Sequence, residues 1–521
     1  MPIGGLLKPR LYRDSVALMQ LSTRLSAADG VRQASVMMGT AANLEILAAT
    51  GLMTEQLASS GPNDLCIAVD AADDGALARA LGLANQFLER SERPPGPSGA
   101  FGNDAAPPRT LAAAHEITPE ANLALISIPG EYAAMEARAA LRRGLNVFLF
   151  SDNVPLEEEV ALKRLATERG LLVMGPDCGT AIIHGVPLGF ANVVRRGSIG
   201  IVAASGTGLQ EVSCLIDRLG AGVSHAIGTG SRDLSAEVGG ATTLAALDLL
   251  AGDPATRVVA LVAKPGDPET QSLVVARLGQ IGKPAVAYFL GGGENGQPSP
   301  PNVVAATSLE HAARAAVALN AGQPAPGSPP GHTTEAHRIL RQITARQRFV
   351  RGLFAGGTLA QEAADAIRRA VTSIPDQATS HHGGLLLDLA GHQILDLGDD
   401  AFTRGRPHPL IDPRIRNERL VQEAASGDVA LILLDVILGY GSPADPAGGL
   451  LPALRSARDA AAAAGSALHV VASLTGTAAD PQGYADQRAR LEAAGVFVAE
   501  SSTQAAAMAA VVARGLMERG S

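Results

Sequence analysis

The sequence has no tryptophan, and aromatic residues make up only 3% of its 521 positions. Stacking platforms for single-stranded nucleic acid are therefore scarce. Basic charge is not in excess either: 42 Lys+Arg stand against 51 Asp+Glu, a formal net charge of -9. That balance offers no general attraction to a phosphate backbone, so nucleic acid is not expected as a partner. Three cysteines, Cys66, Cys178 and Cys214, are too few and too scattered for a disulfide framework or a metal knuckle. No apolar run approaches the roughly 18 residues of a membrane span, and Met1 to Lys8 lacks the charged-then-apolar pattern of an export signal. These absences lead us to expect a cytoplasmic protein without membrane contact.

What is present is small and apolar. Hydrophobic residues reach 46%, charged residues 18%, and there are 58 glycines, a composition that builds packed cores. Short Val/Ile/Leu runs alternate with Ala-rich helical stretches, as in repeated βα units around mostly parallel sheets. The expected class is α/β. Proline and glycine cluster between Ser91 and Pro108 and between Ala321 and His332, which read as linkers. The pattern divides the chain into a small N-terminal α/β domain over 1–92, a linker over 93–118, a Rossmann-like βαβαβ domain over 119–196, a flavodoxin-like domain over 197–320, a linker over 321–348, and a second flavodoxin-like domain over 349–517.

The last two domains read as copies. Ser205-Gly206-Thr207-Gly208-Leu209-Gln210-Glu211 parallels Gly356-Gly357-Thr358-Leu359-Ala360-Gln361-Glu362, with the threonines 358 − 207 = 151 positions apart. Downstream, Gly228-Thr229-Gly230 parallels Gly398-Asp399-Asp400, and two further strands and a final helix keep the same order. Each Gly-Thr motif sits at a strand-to-helix junction, where unpartnered N–H groups and the positive end of the helix dipole can hold phosphate. Taken singly, Ser205, Thr207 and Thr358 are equally ordinary N-caps. If the copies pack about a pseudo-two-fold axis, both junctions converge on one anion.

Gly175-Pro176-Asp177-Cys178, followed by Gly197-Ser198-Ile199-Gly200-Ile201-Val202 and Ser205-Gly206-Thr207, resembles the CoA-binding and ligase modules of the α subunit of succinyl-CoA synthetase. The second copy is similar to the C-terminal domain of the β chain of that enzyme. Asp14-Ser15-Val16, Ser35 to Thr40, Phe150-Ser151-Asp152-Asn153-Val154, Gly175 to Thr180, Leu397 to Asp400 and Gly405-Arg406-Pro407-His408-Pro409 resemble the FdrA family more closely. The resemblance implies a Rossmann-like CoA-binding-type domain followed by two tandem ligase domains, and a shared phosphate site between the copies. It also implies a subunit of an oxamate carbamoyltransferase, which converts oxalurate and phosphate to oxamate and carbamoyl phosphate in anaerobic purine and allantoin breakdown. An acyl-CoA synthetase subunit is the alternative, and a non-catalytic scaffold subunit a third reading. Partner subunits are implied in each, with phosphate or carbamoyl phosphate as substrate or product and CoA as a possible cofactor. Succinyl-CoA synthetase carries a phosphorylated histidine after the strand matching Ala285 to Leu290. Gly291 to Gly296 holds none here.

The densest polar stretch contains Asp399, Asp400, Arg404, Arg406, His408, Asp412, Arg414 and Arg416. It reads either as a solvated face or as a site in which Arg404 and Arg406 grip a carboxylate or phosphate, with Asp400 beside them and His408 moving a proton. Pro407 and Pro409 restrain His408 on both sides. Asp177 is the better polar candidate in the Gly175 to Cys178 turn, since a lone cysteine is most often a small buried hydrophobe. Phosphate or substrate contacts are expected from Ser205, Gly206, Thr207, Gly356, Gly357, Thr358, Arg404, Gly175 and Cys178. Lys264 either presents a cation to the anion site or snorkels. His381-His382 with His392 lacks metal-ligand spacing, so no metal is expected.

Overall fold

The computed structural model describes residues 2–91 except 12 and 14, 108–291, 299–327, 333–372, 383–403 and 407–520. It divides into two compact units, Met1–Ala121 with Asp400–Asp412, and Asn122–Asp399 with Pro413–Ser521.

The first unit contains β1 (Ile3–Lys8), α1 (Ser15–Ser26), β2 (Val31–Met38), α2 (Ala41–Ala49), α3 (Glu55–Ala58), β3 (Leu65–Ala71), α4 (Asp74–Ser91) and α5 (Leu111–Ile117). Its antiparallel sheet has the order β1-β3-β2. The central strand is apolar on both faces, as burial from both sides requires. One face packs with Leu21, Leu25, Val36, Ile67 and Val69, the other with Leu47, Leu52, Leu57 and Cys66.

The second unit begins with β4 (Leu123–Ile126), α6 (Gly130–Arg142), β5 (Asn146–Leu149), α7 (Leu156–Glu168) and β6 (Val173–Met174). This is the expected βαβαβ run, and its sheet has the order β4-β5-β6. The hairpin β7 (Thr180–Ile183) and β8 (Val186–Gly189) follows, then β9 (Arg196–Ala203), α8 (Gly206–Arg218), β10 (Val223–Gly228), α9 (Ala241–Gly252), β11 (Val258–Ala263), α10 (Pro268–Gln280), β12 (Ala285–Phe289), β13 (Val303–Ala305) and α11 (Leu309–Asn320). After α12 (Thr333–Gln342) come β14 (Phe349–Phe354), α13 (Gly357–Val371), β15 (Leu385–Leu389) and β16 (His392–Asp396). Short α14 (Asp400–Thr403) lies within the first unit. The chain closes with α15 (Arg414–Ala425), β17 (Val429–Ile437), α16 (Pro446–Ala463), β18 (His469–Thr475), α17 (Tyr484–Ala493), β19 (Phe497–Ala499) and α18 (Ser502–Gly520).

The duplication is visible in the topology. One sheet runs β13-β12-β11-β9-β10-β7-β8 and the other β15-β16-β14-β17-β18-β19. In each, the next parallel strand, β10 or β16, lies on one side of the first, β9 or β14, and all later strands lie on the other. That reversal opens a crevice at the carboxyl ends, next to the helix that follows the first strand. Among the described strands β4, β5 and β6 the order never reverses, so that sheet has no such crevice.

Buried Lys163 of α7 fixes this run against the first copy. Its ammonium donates to Glu159 at 2.9 Å, the Thr229 carbonyl at 3.0 Å and Asp233 at 2.7 Å. Because two carboxylates and a carbonyl satisfy the buried cation, the Gly228-Thr229-Gly230 turn is held at the carboxyl end of β10.

Candidate functional site

Both crevices open where α8 and α13 start, and the two starts touch. Ser205, the N-cap of α8, accepts the Gly208 N–H at 3.0 Å and shares a hydrogen bond with Thr358 in the first turn of α13. A Cβ built on Gly356 would lie 3.0 Å from the Thr207 methyl, and one built on Gly208 3.0 Å from the Thr358 methyl. The two Gly-Thr motifs therefore meet, as the duplication predicts. Gly206, Thr207 and Gly357 remain half-buried at the junction, while Ser205, Gly356 and Thr358 are buried.

The two starts are not equivalent. Ala355 and Gly356 donate their N–H groups to the Asp435 carboxylate at 2.8 and 2.7 Å. Asp435 is fully buried in β17 and meets the Arg416 guanidinium at 3.3 Å. Burial pushes the Asp435 carboxyl up, and Arg416 opposes that push. Gly356, expected to face phosphate, thus gives its N–H to a carboxylate of the chain itself. Asp396, closing β16, lies over the next residue: its Oδ2 is 2.4 Å from where a Gly357 Cβ would be. A side chain at 357 would require this carboxylate to move aside. Among the described residues no carboxylate accepts the N–H groups of Gly206 or Thr207 at the α8 start, and Lys264, exposed beyond β11, bears on Asp396.

The Gly175 to Thr180 segment runs past the same place. Thr180 Oγ1 would be 3.3 Å from a Cβ on Gly206. Asp177 is exposed with φ of +55° and donates its N–H to the Ser151 carbonyl at 3.0 Å. Cys178 is a correction to the expected ligand set. It is buried, its thiol donates to the Thr180 carbonyl, and burial raises its pKa to about 12, so it presents no thiolate. Gly175 is a packing residue, since a Cβ there would approach the Leu149 carbonyl to 2.3 Å.

Of the arginine and histidine stretch, Asp399, Arg414 and Arg416 belong to the second unit, where Arg416 pairs with Asp435. Asp400 is exposed and, with His408, belongs to the first unit. Arg404 and Arg406 lie outside the described residues, as do His381 and His382. His408 accepts the Leu410 N–H on Nδ1 at 3.1 Å, and its carbonyl accepts from Ile411 and Asp412. Surrounding protein pushes its pKa down to about 4, leaving a neutral ring engaged in its own turn. His392 is buried in β16, where Nδ1 accepts the Val350 N–H at 3.1 Å.

Sequence reasoning missed four carboxylates. Asp396 and Asp435 stand at the carboxyl ends of apolar strands, a position that could have marked them. Glu211 and Glu362 end the two copied motifs and cap helices across the copy boundary: Glu211 accepts the Ser502 N–H at 2.9 Å, and Glu362 accepts the Leu309 N–H at 3.0 Å. A cavity of about 440 Å³ between α16 and α17 lies against Arg455, Arg458 and Arg490. Arg458 caps the Ala494 carbonyl and Arg490 pairs with Asp445, so two of these cations already serve local structure.

Comparisons with known proteins follow the same division. The CoA-ligase family profile matches residues 353–512. A profile described as AllF, heavy metal-associated domain, matches residues 1–101. The uncharacterized protein YahF of Escherichia coli strain K12 is 40% identical over 98% of both chains. Succinate–CoA ligase [ADP-forming] subunit alpha 2 of Archaeoglobus fulgidus is 27% identical over 176 residues, 33% of this chain and 60% of that one. ADP-forming sulfoacetate-CoA ligase subunit SauD of Bilophila wadsworthia is 27% identical over 180 residues, again 33% of this chain and 60% of that one. The chain thus spans about three-fifths of the length of these ligase subunits. The residues of the N-terminal unit do not fit a heavy-metal centre. Cys66 is the only thiol in the matched segment, it is buried in β3, and burial raises its pKa. Among the described residues no helix is long and apolar enough to cross a membrane.

Proposed function

The chain belongs to the FdrA family of acyl-CoA-synthetase-like proteins, and from that premise we propose that it is the phosphate-handling subunit of a carbamoyltransferase of the oxamate type. The observation that carries this reading is the meeting of two sheet reversals at one junction, with Ser205 bonded to Thr358. A crevice of that kind concentrates helix-start N–H groups, and Gly206, Thr207 and Gly357 are the half-buried residues there.

One feature favours phosphate as a substrate over phosphate as a passing enzyme modification: the segment Gly291 to Gly296 has no histidine to phosphorylate. In the proposed reaction a phosphate oxygen forms a bond to the ureido carbonyl carbon of oxalurate. The bond from that carbon to the oxamate nitrogen breaks, and the proton leaving phosphate ends on that nitrogen. Gly206 and Thr207 hold and orient the phosphate, and Lys264 offsets its charge. Partner subunits would bring the carboxylate-bearing substrate.

The CoA-ligase profile and the succinate–CoA ligase relatives favour a second reading, a ligase subunit working with a nucleotide-binding chain. One assay of the purified complex separates them. Oxalurate with phosphate should yield carbamoyl phosphate without nucleotide or CoA. Product formed only when CoA and nucleotide are added would establish the ligase instead.

A further inference from the structure

The N-terminal unit treats the two edges of its sheet differently. Where β2 ends, the Gly39 N–H goes to the Asp64 carbonyl, so by the alternation of an antiparallel ladder Ala34, Val36 and Met38 direct their backbone groups away from β3. Side chains of the same unit occupy that edge: Ser22 donates to the Ala34 carbonyl at 3.1 Å and Asn43 to the Met38 carbonyl at 2.8 Å. At the opposite edge the Ala71 N–H goes to the Pro2 carbonyl, so in β1 it is Ile3, Gly5 and Leu7 that direct their N–H and C=O groups outward. Among the described residues none bonds to those groups. Ile3 is 44% exposed, and no residue of β1 is fully buried, whereas almost all of β3 is. An open strand edge is a template for another strand.

The strand fits itself. Laid antiparallel against a second β1 about Gly5, it sets Ile3 of one copy opposite Leu7 of the other and Gly5 opposite Gly5. Every outward N–H and C=O of both strands then finds its partner in one register. The side chains agree with that register. Ile3 and Leu7 form an apolar cross-strand pair that covers the exposed Ile3, and at the intervening positions small Gly4 lies opposite large Leu6. Lys8, the charged residue of the strand, falls at opposite ends of the ladder, so no like charges face each other. We propose that β1 is an interface between two copies of this chain, joined by antiparallel β1–β1 pairing about a two-fold axis at Gly5, with one sheet continuous across the axis. This surface is separate from the reaction proposed for the Gly-Thr junction and does not depend on it.

Analytical ultracentrifugation of the full chain over a rising concentration series tests it. The parent should show a monomer–dimer equilibrium. Ile3→Pro removes an outward N–H and no bond to β3, so the fold should persist, with a melting temperature near parental at concentrations where both are monomers. Its dimer should dissociate about tenfold more readily or beyond, because each copy loses one donor across the axis. Ile3→Lys sets a charge beside Leu7 of the second copy and should weaken the dimer likewise. Hydrogen exchange of β1 should slow with concentration in the parent and in neither variant. A parent that stays monomeric at the highest concentrations overturns the proposal, and this is also the result expected if a strand of a different subunit fills the edge. A dimer whose affinity neither Ile3 variant changes overturns it too, since the copies would then meet elsewhere.

Discussion

Ser205 and Thr358 stand 153 residues apart and share a hydrogen bond, each at the start of the helix that follows the first parallel strand of its sheet. The contact ties the two helix starts together, beside the packing of Gly356 against the Thr207 methyl and of Gly208 against the Thr358 methyl. It also explains why α8 and α13 cannot move independently of each other without breaking a buried polar pair.

Thr358→Val keeps the β-branched shape but leaves Ser205 with one bond fewer. We expect a stability loss of about 1 kcal/mol, read from chemical denaturation. Thr207→Val lies on the half-open side and should weaken phosphate binding with little change in stability. Equal phosphate affinity in parent and Thr207→Val, measured by calorimetry, would remove Thr207 from the site.

Arg416 is buried with Asp435 and also donates to the Asp435 carbonyl. Arg416→Met leaves that carboxylate buried without its cation, which should cost roughly 3–5 kcal/mol. Asp435→Asn together with Arg416→Met removes both charges and should recover part of that loss in a double-mutant cycle. A fully additive cycle would mean that the pair is not coupled.

Glu362 is pushed up to about 7 by burial, against donations from Leu309, Ser502 and Thr503. Its folded pKa lies above its ordinary value of 4.5, so its contribution to stability is fully present at lower pH and is lost as pH rises from there through about 7. Denaturation midpoints at about pH 5 and about pH 8 should therefore differ less in Glu362→Gln than in the parent. An identical pH dependence in both would show that Glu362 titrates normally.

His408 already accepts the Leu410 N–H, and its pKa of about 4 leaves it neutral at physiological pH. We expect His408→Gln to lower the melting temperature while turnover per folded complex stays near parental. A fall in turnover of ~10²-fold or more would restore the proton-transfer role that the sequence suggested.

Much of this architecture is legible in the sequence because it rests on local pattern. Apolar runs such as Val258 to Ala263 and Val429 to Asp435 mark buried parallel strands, and the repeated Gly-Thr motifs mark helix starts. The duplication follows from their common order. Local pattern also marks N-caps, and Ser205 accepts the Gly208 N–H as its type and position require. Charge density alone did not reveal how its residues are engaged. The stretch around His408 is rich in ionisable groups, yet His408 is occupied by its own turn, and Asp400 and His408 lie in the other compact unit from the Gly-Thr junction.

Tertiary structure decided what the junction is made of. Asp435 lies almost eighty positions from the N–H groups it accepts, and Glu211 reaches Ser502 across 291 positions. No periodicity encodes such pairings, because they depend on which strand ends the sheet order brings together. The sequence by itself determined that two helix starts of one kind exist. Only the packing of the copies decided that the starts meet and that Asp435 accepts the N–H groups of Ala355 and Gly356 beside one of them. The physical reason is that buried N–H groups must find a partner, and which partner is within reach is a property of the assembled fold.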